Sequence, residues 1–138
     1  MADDSRAIVV ARAGSRCEYC KMHQSLQGAT FHIEHVIPRV RGGSNAFENL
    51  ALACPSCNLH KADRVSSVLD LDSAAITLFH PRMDVWSDHF EWDDYQIVGK
   101  TDTGVLTTRL LDLNHVRRIK IRQAEQMFGL FPPEALED

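Results

Sequence analysis

Four cysteines arranged as two CxxC pairs restrict the fold of this 138-residue chain more than any other feature. "CEYC" holds Cys17 and Cys20, "CPSC" holds Cys54 and Cys57, 33 residues separate the pairs, and no cysteine is left over. Each CxxC offers two thiolates from one tight knuckle, and two knuckles supply the four sulfurs that zinc takes at about 2.3 Å in a closed tetrahedron. The separation exceeds the roughly 15–20 residues of compact zinc modules, so a substantial insert sits between the knuckles. A closed site leaves no position for water or substrate, and zinc here is expected to hold structure only. Iron in the same tetrahedron, in an electron-transfer protein, is the rival metal. A disulfide framework would suit a short secreted chain. The N-terminal apolar run "AIVVA" is shorter than a secretory core and follows Asp3 and Asp4 instead of basic residues. No apolar run approaches the roughly 18–20 residues that span a bilayer, and the expected location is the cytoplasm.

The length suits one domain over residues 1–138. A net charge of −4 speaks mildly against a nucleic-acid partner until its distribution is considered. Residues 1–64 carry eight Lys and Arg against six Asp and Glu, whereas residues 65–138 carry seven against thirteen. The half with the cysteines is therefore the basic half, and it holds four of the seven histidines. Exposed charges are screened beyond about 10 Å, so a basic surface on an acidic protein can still bind phosphate.

Residues 3–13 read as a helix capped by Asp3, Asp4 or Ser5 and ended by Gly14. Residues 30–37 are β-branched and aromatic, which predicts a strand ending at Pro38. "RGGSN" is a turn, "NLALAC" a second strand, and Pro55 opens a helix over "PSCNLHKADR". The second half predicts strands at residues 90–92 and 96–100 and a helix from about Thr103. A last helix is capped by Asn114, with Val116, Ile119, Gln123 and Met127 near one face. The basic run "RRIKIR" reads as one side of that amphipathic helix, and the tail "FPPEALED" reads as frayed.

Between the knuckles lies a second set of metal-binding residue types. His35 stands near a strand end beside Glu34, and histidine with one ring nitrogen fixed supplies a general base of suitable pKa. Glu34 and Asn58 offer the oxygens that Mg²⁺ or Mn²⁺ prefers, and a helix from Pro55 packed across the hairpin would bring them together. Consecutive strand residues face opposite sides. Either the strand bends, or His32 and Glu34, two apart, form the functional pair. His32, Arg39, Arg41, His60 and Lys61 are candidate substrate contacts to a phosphate backbone. His89, in "SDHFEW", reads as packed among Trp86, Phe90 and Trp92.

The stretch "CEYC…FHIEHVIPRVRGGSNAFENLALACPSCNLHKAD" resembles the HNH endonuclease motif in its zinc-stabilised form with two CxxC knuckles. The resemblance covers residues 14–64, and the cysteine pairs, [D/E]H-x-x-P, G-G, E-N-L and C-N-x-x-K stand in the family's order. It implies an α+β fold: a ββα-metal core with a four-cysteine zinc site, an N-terminal helix and a C-terminal α/β extension over residues 65–138. It further implies a bend near Pro38, Glu34 as an acidic metal ligand, His35 as general base, Asn49 as the residue that fixes the loop, and Asn58 as the last metal ligand. The activity implied is divalent-metal-dependent hydrolysis of DNA, leaving 5′-phosphate and 3′-hydroxyl ends. The alternative is a non-catalytic zinc module that binds nucleic acid or protein. It accounts for the cysteines equally well but leaves Glu34, His35 and Asn58 without a role.

Overall fold

A computed structural model of the chain describes residues 3–133 as a mixed α+β fold. Helix α1 (Asp3–Arg12) ends as foreseen at Gly14, which takes the left-handed conformation. Strands β1 (His32–His35) and β2 (Leu50–Ala53) form an antiparallel hairpin in the register His32 to Ala53 and His35 to Leu50. Helix α2 (Pro55–Lys61) follows directly, with Pro55 in its first turn and Cys54 as N-cap. The observed order is the expected strand, loop, strand, helix, with a cysteine pair at each outer end.

All four β2 side chains are buried, so this strand is covered on both faces, and α1 and α2 each pack against it. Val9 and Ala13 of the α1 segment enter the core, while its arginines tie the helix to the hairpin. Arg6 donates to the Phe31 carbonyl at 2.6 Å, and Arg12 donates to the carbonyls of Phe47 at 3.0 Å and Leu50 at 2.5 Å. The β1–β2 connection contains short 3-10 turns at Arg39–Arg41 and Phe47–Asn49.

Beyond residue 64 the chain forms a two-residue ladder, β3 (Ser66–Ser67) with β4 (Ile76–Thr77), and a short helix α3 (Trp86–His89). A second hairpin follows, β5 (Phe90–Asp93) with β6 (Gln96–Gly99), and then helices α4 (Asp102–Leu110) and α5 (Val116–Met127). The β5–β6 hairpin and α4 match expectation. The β3–β4 ladder and α3 had no readable signal, being too short to show a period. One cluster of buried side chains joins both halves: the four cysteines, Tyr19, Phe31 and Leu52 pack with Phe79, Trp86, Phe90, Ile97 and Leu113. Among the described residues, no helix is long and apolar enough to cross a membrane.

Helix α5 departs from the expected pattern. Of the four residues expected near one face, Val116, Gln123 and Met127 are exposed and Ile119 is half-buried, while Arg118, Arg122 and Glu125 are buried. Asn114 is not its cap. The His115 ring takes that place and accepts from Arg117 N–H at 3.0 Å. Asn114 uses its amide as a strand would, accepting from Ile97 N–H and donating to Ile97 O, both at 2.8 Å. The tail is not wholly loose either, since Phe131 is buried with its ring 4.9 Å from Trp92 and 5.3 Å from Tyr95. Residues 134–138 of the tail, and residues 1–2 before α1, lie outside the described residues.

The β1–β2 loop is closed by Asn49, whose carboxamide accepts from Ile37 N–H at 2.9 Å and donates to Ile37 O at 3.0 Å and Ser44 O at 2.8 Å. Gly43 lies inside this closure. A Cβ there would stand 1.7 Å from Ile37 O and 2.9 Å from the Asn49 amide nitrogen, with backbone on one side and a committed amide on the other. Gly43→Ala should therefore lower stability by about 1–3 kcal/mol, the range for overpacking, measured by urea unfolding of the full chain. Ala at the neighbouring Gly42 meets no atom within 4 Å, so any loss there comes only from its φ of 87°.

Candidate active site and sulfur cluster

The first knuckle is a tight hairpin. Cys17 N–H donates to Met22 O and Lys21 N–H to Cys17 O, both at 2.9 Å, with Lys21 at φ 66°. It docks on the hairpin of the HNH-like stretch through Glu18, whose N–H donates to Leu52 O and whose carboxylate accepts from Leu52 N–H, both at 2.8 Å. The same carboxylate pairs with Arg82. The second knuckle is the start of α2, where Cys57 N–H donates to Cys54 Sγ at 3.4 Å.

All four sulfurs are buried and lie within 4.8 Å of one another, Cys20 and Cys54 being 3.7 Å apart. A tetrahedron with metal–sulfur bonds of about 2.3 Å has edges of about 3.8 Å, so the cluster fits a structural zinc ion. Burial, with bonds from neighbouring sulfurs, pushes the Cys17 and Cys57 thiols up. For Cys20, burial acts the same way but is outweighed by bonds from Cys17, Cys54 and Cys57, which hold its thiol low. Four thiols this close cannot all ionise without a cation between them.

Strand alternation settles the geometry of Glu34 and His35. The ladder stays regular through His35 and the chain bends only beyond it, at Val36 and Ile37 before Pro38, so within the strand the two side chains point to opposite faces. Glu34 points inward and is buried. Its Oε1 accepts from the Tyr19 hydroxyl, and its Oε2 lies 3.6 Å from Lys61 Nζ, which also donates to Val36 O at 2.9 Å. Burial raises the Glu34 carboxyl, and the Lys61 charge, the Tyr19 bond and His35 oppose that rise. Lys61, expected to face phosphate, is instead one of the most buried side chains in the protein.

His35 faces outward and is half-buried, with Nε2 2.7 Å from Asn45 Oδ1. With Asn45 Oδ1 as the acceptor, Nε2 is the donor in this contact, and Nδ1 has no hydrogen bond among the described residues. Asn58 sits on α2, half-buried, with no side-chain hydrogen bond among the described residues. His60 turns its Nδ1 to Ser56 O at 2.8 Å. His32, Arg39 and Arg41 are exposed, and Arg41 Nε donates to Asp63 O at 2.7 Å. His89 contacts Thr101 Oγ1 at 2.7 Å and packs edge-on to Phe79. It lines a cavity of about 670 Å³ together with Lys61, Arg41 and His80.

The fold therefore joins Glu34 to Lys61 inside and leaves His35 and the candidate backbone contacts outside. Three partners escaped sequence reasoning. Tyr19 sits inside the first CxxC, where only the cysteines drew notice, and Asn45 lies in "RGGSN", which read as turn chemistry alone. Arg118 donates to Cys57 Sγ at 3.2 Å from a helix whose charged residues read as solvent-facing.

Residues 17–64 match the family model described as HNH endonuclease. The chain is also similar to the Septu protein PtuB of Bacillus thuringiensis, with 25% identity over 116 residues. That alignment covers 83% of this chain and 42% of PtuB, so the chain spans less than half the length of this relative. No solved structure matches the chain. With both knuckles, the His35 strand, the Asn49 loop and α2 all falling inside the matched stretch, the chain carries an HNH endonuclease domain at residues 17–64.

Proposed function

We propose that this chain is a DNA endonuclease that hydrolyses phosphodiester bonds with His35 as general base, on a scaffold held by a structural zinc ion. The HNH domain supports the nuclease family. The observation that carries the reading is the His35 ring, on the outer side of β1 with Nε2 held by Asn45 and Nδ1 free. A base must present a lone pair of fixed direction to its water, and the Asn45 contact supplies that direction. Nδ1 takes a proton from water, the new oxygen–phosphorus bond forms in line with the 3′ oxygen, and the phosphorus–O3′ bond breaks. The phosphate stays on the 5′ oxygen, and the 3′ oxygen leaves and takes a proton from solvent to become a hydroxyl. Asn49 keeps the loop after His35 closed, so the base and the exposed Arg39 and Arg41 hold their places against a DNA backbone.

Zinc at Cys17, Cys20, Cys54 and Cys57 supplies cross-linking and no chemistry, because four thiolates complete its shell. Mg²⁺ or Mn²⁺ is the second cofactor of this reading, and Asn58 fits it as a donor. Glu34 does not fit. One of its oxygens is taken by Tyr19, the other faces an ammonium group at 3.6 Å, and a divalent cation there would lie against Lys61. In this arrangement Glu34 is a strut between the first knuckle, β1 and α2.

Nicking of supercoiled plasmid in Mg²⁺ or Mn²⁺ tests the reading. His35→Ala should lower the rate by roughly 10²–10⁴-fold with zinc content and folding intact, and Asn45→Ala should lower it less, because the base remains. An inactive wild type that still binds DNA and zinc would make the chain a binding module instead. Glu34→Gln should lower stability by about 3–5 kcal/mol, the cost of stranding one partner of a buried ion pair, and leave the Mn²⁺ dependence of the surviving activity unchanged. A large rise in the Mn²⁺ needed, without loss of stability, would restore Glu34 as a ligand.

A further inference from the structure

Three buried charged residues, Arg118, Arg122 and Glu125, lie on successive turns of one face of α5, 4%, 1% and 1% exposed. A buried charge is costly unless paired, so each needs a partner of opposite sign. Among the described residues, the buried carboxylates are already engaged. Glu18 pairs with Arg82, Glu34 pairs with Lys61, and Glu125 accepts from His23 N–H at 2.8 Å in the field of Arg16. Among the described residues Arg118 and Arg122 form no ion pair with a carboxylate, although Glu125 on the next turn lies in the field of Arg122, and both arginines are inside the protein.

Their surroundings explain them. Arg118 Nη1 donates to Cys57 Sγ at 3.2 Å, while its Nη2 donates to Ser56 Oγ at 2.5 Å and Leu111 O at 2.9 Å. One turn on, Arg122 donates to Tyr95 O at 2.8 Å and Leu113 O at 2.6 Å, and its guanidinium lies 5.4 Å from the Trp92 ring centre. These carbonyls satisfy N–H groups but carry no net charge. Four thiolates around one dication carry two negative charges, the complement of two guanidinium groups. Glu125 meanwhile holds the backbone of the first knuckle, so α5 touches both knuckles at once.

We propose that α5 is part of the metal centre. Arg118, with Arg122 behind it, supplies the counter-charge and an N–H···S bond that keep the four thiolates on their zinc ion, which gives the C-terminal extension a role in metal retention. This rests on the zinc reading above. A donor hydrogen-bonded to a thiolate withdraws electron density from sulfur and offsets the excess negative charge of the centre. Loss of such an outer partner typically costs 10–100-fold in metal affinity.

The test is zinc content and release to a chromogenic chelator from the full chain, with folding followed by circular dichroism. Arg118→Met should weaken zinc retention roughly 10- to 100-fold. Arg118→Lys keeps the charge without the planar fork and should fall between. Ser56→Ala removes one Arg118 contact but not the Cys57 bond, and should retain zinc as wild type does. In the cobalt-substituted protein, the thiolate-to-metal charge-transfer band of Arg118→Met should move to lower energy, a change that loss of packing alone does not produce. Should Arg118→Met fail to fold, Arg118→Lys and its cobalt band decide the same question. A wild type that takes up no stoichiometric metal would overturn the zinc reading itself. A loaded wild type whose Arg118 variants keep zinc at the wild-type rate, with the band unmoved, would overturn the role of α5.

Discussion

Bringing four sulfur atoms within 4.8 Å of one another, all of them buried, is the constraint around which the protein is arranged. Sulfurs that close repel as thiolates and are poorly solvated as thiols, and the cluster has the form of a cage for a cation. It also locates the rest. Cys54 caps α2 and Cys57 sits in its first turn, so a metal that fixes those sulfurs fixes the direction of the helix carrying Asn58 and Lys61. Cys17 and Cys20 bracket Tyr19, whose hydroxyl reaches Glu34 on β1. Both knuckles thus send a side chain to the same carboxylate, one through Tyr19 and one through Lys61.

Strand alternation then divides the hairpin into an inner and an outer chemistry. Glu34 and His35 are neighbours in sequence, but one completes a buried ion pair and the other meets solvent beside Asn45. A regular ladder needs no bend to serve both tasks, because each residue has its own face. The loop beyond them is short of freedom. Asn49 grips Ile37 from both sides, and Gly43 fits under Ile37 O only because it has no side chain.

Much of this was legible in the residues themselves. Cysteine spacing gave both knuckles, β-branched and aromatic residues gave β1, β5 and β6, the apolar run "NLALAC" gave β2, and Pro55 marked α2. What stayed hidden was pairing across long separations. Nothing near Glu34 announces that Lys61 will fold back onto it, and a reading of Lys61 as a surface cation is the ordinary expectation for lysine. The same holds for α5. Its apolar residues at helical spacing pointed to a buried face, yet the interior it meets is sulfur and backbone carbonyls, so the arginines turned inward and Val116 and Met127 turned out. Hydrophobic periodicity assumes an apolar interior and fails where the interior offers hydrogen-bond acceptors.

The shared core has a consequence for how the chain may be divided. A motif boundary at residue 64 separates Cys57 from Arg118, Tyr19 from the Trp86 indole that donates to its carbonyl, and Glu18 from Arg82. Each cut bond would leave a polar group or a ring without its neighbour in the piece that remains. The stretch that a family pattern recognises and the body that excludes water around the sulfurs are therefore different objects. Moving the recognised stretch into another protein would carry the chemistry across without the walls that enclose it.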